Sequence, residues 1–174
     1  MKRKALAITL AAAMAMGTCA VTASAADGDK YTIGICQLVQ HEALDAATQG
    51  FKDEVTKELG EDAVTFDEQN AQGDSNTCST IINSFVSNNV DLILANATPA
   101  LQAAAAGTSD IPILGTSVTE YGVALGLDDF DGTVGGNISG TADLAPLDQQ
   151  AAMLNELFPD AKNVGLLYCS CLLY

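Results

Sequence analysis

The sequence predicts an α/β protein built on a doubly wound parallel sheet in three layers, helix over sheet over helix. Three observations predict it. Short apolar runs rich in β-branched residues recur at 31–36, 63–69, 91–95 and 111–114, and most are continuous rather than alternating, as strands buried on both faces read. Between them, apolar residues return at three- and four-residue steps, the mark of amphipathic helices. Each strand-type run also closes in a polar loop, and in open α/β sheets the loops outside the strand carboxyl ends bind ligands.

The first unit runs from Tyr31 through Cys36 and Gln37 into a polar loop and then a helix with Leu44, Ala47, Phe51, Val55 and Leu59 on one face, stopped by Gly60. A second strand, holding Val64 and Phe66, ends in Asn70-Ala71-Gln72-Gly73. Asp74 is an N-cap type for the next helix, whose stripe is Cys78, Ile81, Ile82, Phe85 and Val86 before Asn88 and Asn89. The third strand, 91–95, runs into Asn96-Ala97-Thr98-Pro99, where Thr98 as N-cap and Pro99 at the first helical position open a short alanine-rich helix to Gly107. A fourth strand, 111–114, gives way to a polar loop over 115–121, and 122–127 adds a fifth strand. Right-handed crossovers are expected throughout. Residues 128–140 hold Asp128, Asp129, Asp131, Gly132, Gly135, Gly136, Asn137 and Gly140, which is connector chemistry and marks a hinge or domain boundary. A helix over 147–158 and a strand over 163–168 follow, and the apolar ending Leu172-Leu173-Tyr174 lacks the polar turn expected after a strand.

The amino terminus is set apart from the fold. Lys2, Arg3 and Lys4 precede an apolar run to Met16 and small residues ending Ala23-Ser24-Ala25, a signal peptide cleaved after Ala25. The run is shorter than the roughly 20 residues a membrane span needs. Cys19 offers a lipid anchor as the weaker alternative, since Met16-Gly17-Thr18 before it is a poor lipobox. Export removes three of seven basic residues and none of the 22 acidic ones, which argues against nucleic acid as a partner. The rest suffices for one domain with a sizeable core. Cys36 and Cys78 read as buried thiols, and Cys169-Ser170-Cys171 is too tightly spaced for a zinc site, so no metal or cofactor is assigned.

Five blocks carry a resemblance: HEALDAATQGFKDEV from His41, NAQGDSNT from Asn70, DLILANATPALQAAA from Asp91, GGNISGTADL from Gly135 and LNELFPDAKNVGLLY from Leu154. Together, in this order and across nearly all of 31–170, they resemble the ABC-transporter substrate-binding proteins of the tryptophan/tyrosine type, within the periplasmic-binding-protein-like superfamily. The resemblance implies two α/β lobes that close on a small ligand and deliver it to an ABC permease in the membrane. It divides the chain into a signal peptide at 1–25, an amino-terminal ligand-binding lobe at 30–140 with a hinge at its end, and an incomplete start of the second lobe at 141–174. The chain departs from the pattern by ending within that second lobe, and at Glu120-Tyr121, where relatives carry an Asp-Pro pair. That second departure leaves the ligand class open.

The candidate binding residues are Gln37, His41, Asn70, Gln72, Thr98, Pro99, Ser117 and Glu120, with Gly135, Gly136, Asn137 and Gly140 as hinge. Three of the loops open helices, whose unpaired N–H groups favour an anion such as a carboxylate. Glu120 is placed to meet an ammonium group, so an amino acid, an aromatic one among the candidates, suits the arrangement. A plain reading stands beside each residue: His41 and Thr98 as helix caps, Asn70 as the residue of an Asx turn, the glycines as turn formers. One His, no nucleophile elbow and no phosphate loop argue against an enzyme. The input domain of a membrane sensor and a non-functional truncated remnant of a binding protein are the alternatives to transport.

Overall fold

The structure, a computed structural model, describes residues 30–166. Five parallel strands form one sheet: β1 (Tyr31–Gln37), β2 (Val64–Asn70), β3 (Leu92–Asn96), β4 (Ile113–Val118) and β5 (Ile138–Ala142), in the order β2-β1-β3-β4-β5. The helices are α1 (Glu42–Leu59), α2 (Ser75–Ser87), α3 (Thr98–Gly107), α4 (Tyr121–Leu125) and α5 (Leu147–Leu157), with a 3-10 turn at Glu61–Ala63.

The winding explains the layers. From β1 the chain moves outward to β2, then crosses back to β3 on the other side of β1. A crossover that keeps one hand must switch faces when the direction reverses. Accordingly Phe51 and Val55 of α1 cover Ile33, Ile35 and Leu94 on one face. On the other face α2 and α3 pack Cys78, Ile81, Ile82, Phe85, Leu101 and Ala104 against Cys36, Ile93, Ala95 and Ile113. Phe85 and Leu101 are fully buried there, each contributing about 1.5–3 kcal/mol from the apolar area removed from water.

Local signals account for the helix starts. The Asp74 carboxylate accepts from Thr77 N at 2.8 Å, which is the N-cap bond its residue type favours. In α1 the cap is His41, whose Nδ1 accepts from Ala43 N at 3.2 Å while its carbonyl takes the first helical bond from Asp45 N at 2.8 Å. Gly60, at φ 93, ends that helix.

The structure corrects the sequence reading at five places. Thr98 is the first residue of α3 rather than its cap; the cap is Ala97, whose carbonyl accepts from Leu101 N at 3.1 Å. The 115–118 segment continues β4 instead of forming a loop, because β3 and β5 offer partners on both sides. Residues 121–125 are helical, since both Glu120 carboxylate oxygens cap the turn by accepting from Gly122 N at 2.9 Å and Val123 N at 2.6 Å, and Gly126 closes it at φ 64. The connector read over 128–140 ends early. Asn137 Nδ2 donates to Ile111 O at 2.7 Å and Thr108 O at 3.2 Å, and Ile138 begins β5. Finally, 163–166 is exposed and not a strand; a strand forms only against a partner, and none of the described strands runs beside it. The expected signal peptide, Cys19, Cys169, Cys171 and Tyr168 lie outside the described residues.

Candidate functional site

Where the winding reverses, the segment after β1 turns to one face of the sheet and the segment after β3 to the other, which opens a crevice between their carboxyl ends. A cavity of about 680 Å³ lies there. Leu38, Val39, His41, Ala43 and Leu44 form one wall, Ala97 and Thr98 the floor, and Ser117, Thr119, Glu120, Val123 and Ala124 the other wall, with Asp143 at the margin. A second cavity, about 510 Å³, lies along β5 between Tyr121, Phe130 and Leu144; it adjoins the crevice at Thr119 and Glu120, which line both.

Of the eight candidate binding residues, His41, Thr98, Ser117 and Glu120 line the larger cavity. Gln37, Asn70, Gln72 and Pro99 do not. Gln37 is 4% exposed and faces α1, with its Oε1 accepting from Thr48 Oγ1 at 2.7 Å. Asn70 Oδ1 accepts from Gln72 N at 2.8 Å, the Asx turn that starts the next loop, with Gln72 at φ 54. Pro99 is buried in the first turn of α3. The sequence reading did not include the apolar lining from Leu38, Val39, Leu44 and Val123; the signal available was that Leu38 and Val39 are apolar residues within the polar loop after β1.

The lining joins apolar side chains to a few polar ones, the composition typical of small-molecule sites. No Lys or Arg lines the cavity, while Glu120 and Asp143 bring two carboxylates to it. At the floor, α3 begins at Thr98 without a side-chain cap, so the positive end of its dipole lies at the crevice unneutralised by a side chain. Two cavity residues carry strained backbones, Ala97 at φ 87 and Ser117 at φ 55; such residues cluster where a ligand must be met closely.

Cys36 is fully buried. Its thiol is pushed up by its hydrogen bond with Cys78 and by burial, and it packs in the α2–α3 layer while His41 caps the helix on the opposite face. Among the described residues no group of three His, Cys, Asp or Glu is placed to hold a metal, and no helix is long and apolar enough to cross a membrane.

Comparison with known proteins adds the following. Residues 32–172 match the family model for ABC transporter substrate binding protein. The chain is 43% identical over 140 residues to a tyrosine-binding protein of Clostridioides difficile, a match covering 78% of this chain and 40% of that one. It is similar to the ligand-free, open structure of a substrate-binding protein with adhesive properties from Clostridium difficile, at 42% identity and a TM-score of 0.67, covering 76% of this chain and 45% of that chain. It is also similar to an ABC domain in complex with L-Trp from Streptococcus pneumoniae, at 34% identity and a TM-score of 0.72, covering 82% and 48%. The chain thus spans less than half the length of each of these relatives.

Proposed function

The chain belongs to the ABC transporter substrate-binding protein family, and from that premise we propose that residues 30–142 form the first ligand-binding lobe of an amino-acid receptor. The receptor would be exported by residues 1–25 and would deliver its ligand to a membrane permease. The observation that carries this reading is the crevice at the winding reversal, which joins an apolar lining to an uncapped helix start and two carboxylates without a cationic side chain. The α3 N–H groups take the carboxylate of the ligand, Glu120 and Asp143 face its ammonium group, and Leu38, Leu44 and Val123 take its side chain. An aromatic amino acid suits the volume, in line with a relative named for binding tyrosine and another solved with L-Trp. The crossing to the second lobe leaves after β5. The segment after Ala142 is where the lobes articulate, while the turn glycines Gly135 (φ 77) and Gly136 (φ 61) lie before β5, inside the first lobe.

Nitrogen-15 chemical-shift mapping of this chain tests the reading. L-Tyrosine or L-tryptophan is expected to move the amides of His41, Thr98, Ala100 and Ser117. Tyramine, which lacks the carboxylate, should lose the effect at Thr98 and Ala100. The absence of any shift at these amides with either amino acid would overturn it.

A further inference from the structure

The last residues of β1 and β3, Gln37 and Asn96, are paired in register and are both buried and polar, where the rungs before them are apolar. Both side chains reach α1. Gln37 Oε1 accepts from Thr48 Oγ1 at 2.7 Å, and Asn96 Nδ2 donates to Thr48 Oγ1 at 2.9 Å and to Leu44 O at 2.8 Å. Gln37 Nε2 donates to Asp45 Oδ1 at 2.6 Å and to Val39 O at 3.0 Å. Thr48 is the one buried residue of α1, and its hydroxyl is the point where the two strands and the helix meet.

An apolar contact would hold α1 on the sheet as well and would let it slide; directional hydrogen bonds fix one position. The fold also carries a cost here. Asn96 Oδ1 is the buried side-chain polar atom that has no partner among the described residues. A departure from polar satisfaction of this kind is expected where function, not stability, sets the residue. What the clasp holds in place is the cavity wall, since Val39, Leu44 and the His41 cap lie on the segment it ties down.

We infer that Gln37, Thr48 and Asn96 are positioning residues that set ligand affinity by fixing this wall, without touching the ligand. The inference rests on the receptor reading above for its ligand and on geometry alone for its clasp. Two measurements on the 174-residue chain separate them. Hydrogen exchange of Thr48→Val is expected to accelerate at the amides of 38–45 by about tenfold relative to those of β3, the effect of leaving one buried group unpaired; Thr48→Ser, which keeps the hydroxyl, should restore the native pattern. Unchanged exchange, or an equal acceleration in β3, overturns the clasp. Titration with L-tyrosine, followed at Thr98, should show about tenfold weaker binding in Thr48→Val and recovery in Thr48→Ser; equal affinity overturns the positioning role. If the native chain gives no response to L-tyrosine, the receptor reading falls and exchange alone decides the clasp.

Discussion

Replacing Gly140 with alanine is the sharpest test of how β5 is built into the sheet. Gly140 stands opposite Gly115 of β4, and the Tyr121 hydroxyl reaches over this rung to donate to Thr141 O at 3.2 Å. A methyl group at position 140 would collide with the Gly115 carbonyl oxygen and the Tyr121 hydroxyl, and would lie 2.8 Å from Gly115 N. Two of these three obstacles are backbone atoms of the paired strand, which cannot rotate away, so β4 and β5 must part. Gly140 is absent from the positive-φ residues, so the cost is steric and not conformational. Overpacking of well-packed sites costs about 1–3 kcal/mol, and backbone obstruction puts Gly140→Ala at the upper end, about 3 kcal/mol. With a urea slope of about 2 kcal/mol per M, the midpoint should fall by about 1.5 M. Gly136→Ala is the control: at φ 61 with open space around it, it should cost only the left-handed strain of about 1–2 kcal/mol. Adding Tyr121→Phe to Gly140→Ala removes one obstacle of three and should recover only part of the loss. A Gly140→Ala variant within about 0.5 kcal/mol of the native chain would refute this reasoning. It would favour a glycine kept for hinge motion, which leaves folding alone and alters the response to ligand.

Ala97→Gly should stabilise the fold by about 1 kcal/mol in the same unfolding assay, because at φ 87 and ψ 158 alanine sits in a region that glycine occupies freely; a loss of stability would show that the methyl group contributes more by packing than the strain costs. Burial holds the Tyr121 hydroxyl above the ordinary 10.0 of tyrosine. With the folded value raised, stability is intact below the unfolded value and falls as pH rises from there through the folded value, so Tyr121→Phe should flatten the decline above about pH 10; the same decline in both proteins would refute it.

Most of the sheet was legible because parallel strands buried on both faces leave continuous apolar runs, as in Ile33–Ile35 and Ile93–Ala95, and because caps such as Asp74 use local chemistry. The failures have physical causes. Val123, Ala124 and Leu125 suit a strand or a short helix equally, and the decision lay with two carboxylate bonds from Glu120. β5 was hidden because Ser139, Gly140 and Thr141 lack apolar character; the strand is held by pairing with β4 and by Asn137, contacts made across long stretches of chain. Loop position brought His41, Thr98, Ser117 and Glu120 to the larger cavity, since the carboxyl ends of strands are fixed by topology. It could not tell that Gln37 turns inward, because in a strand that depends on where Thr48 lies, 11 residues away. Asn70 and Gln72 follow β2, the edge strand, and do not line the larger cavity.

The two carboxylates at the cavity, set in a chain of net charge −15, bear on the approach of a ligand as well as on its contacts. A protein field of one sign acts over distances up to a Debye length, about 8 Å at physiological ionic strength. Acidic amino acids meet repulsion before they reach the crevice, and phosphorylated compounds are turned back more strongly still. On the function proposed above, a zwitterion, which carries no net charge, would be admitted without penalty, its dipole oriented by the field so that the positive end leads toward Glu120. If the crevice takes an amino acid as proposed, discrimination between neutral and acidic ones would be exercised at a distance, on the rate of arrival, and should weaken as salt is added.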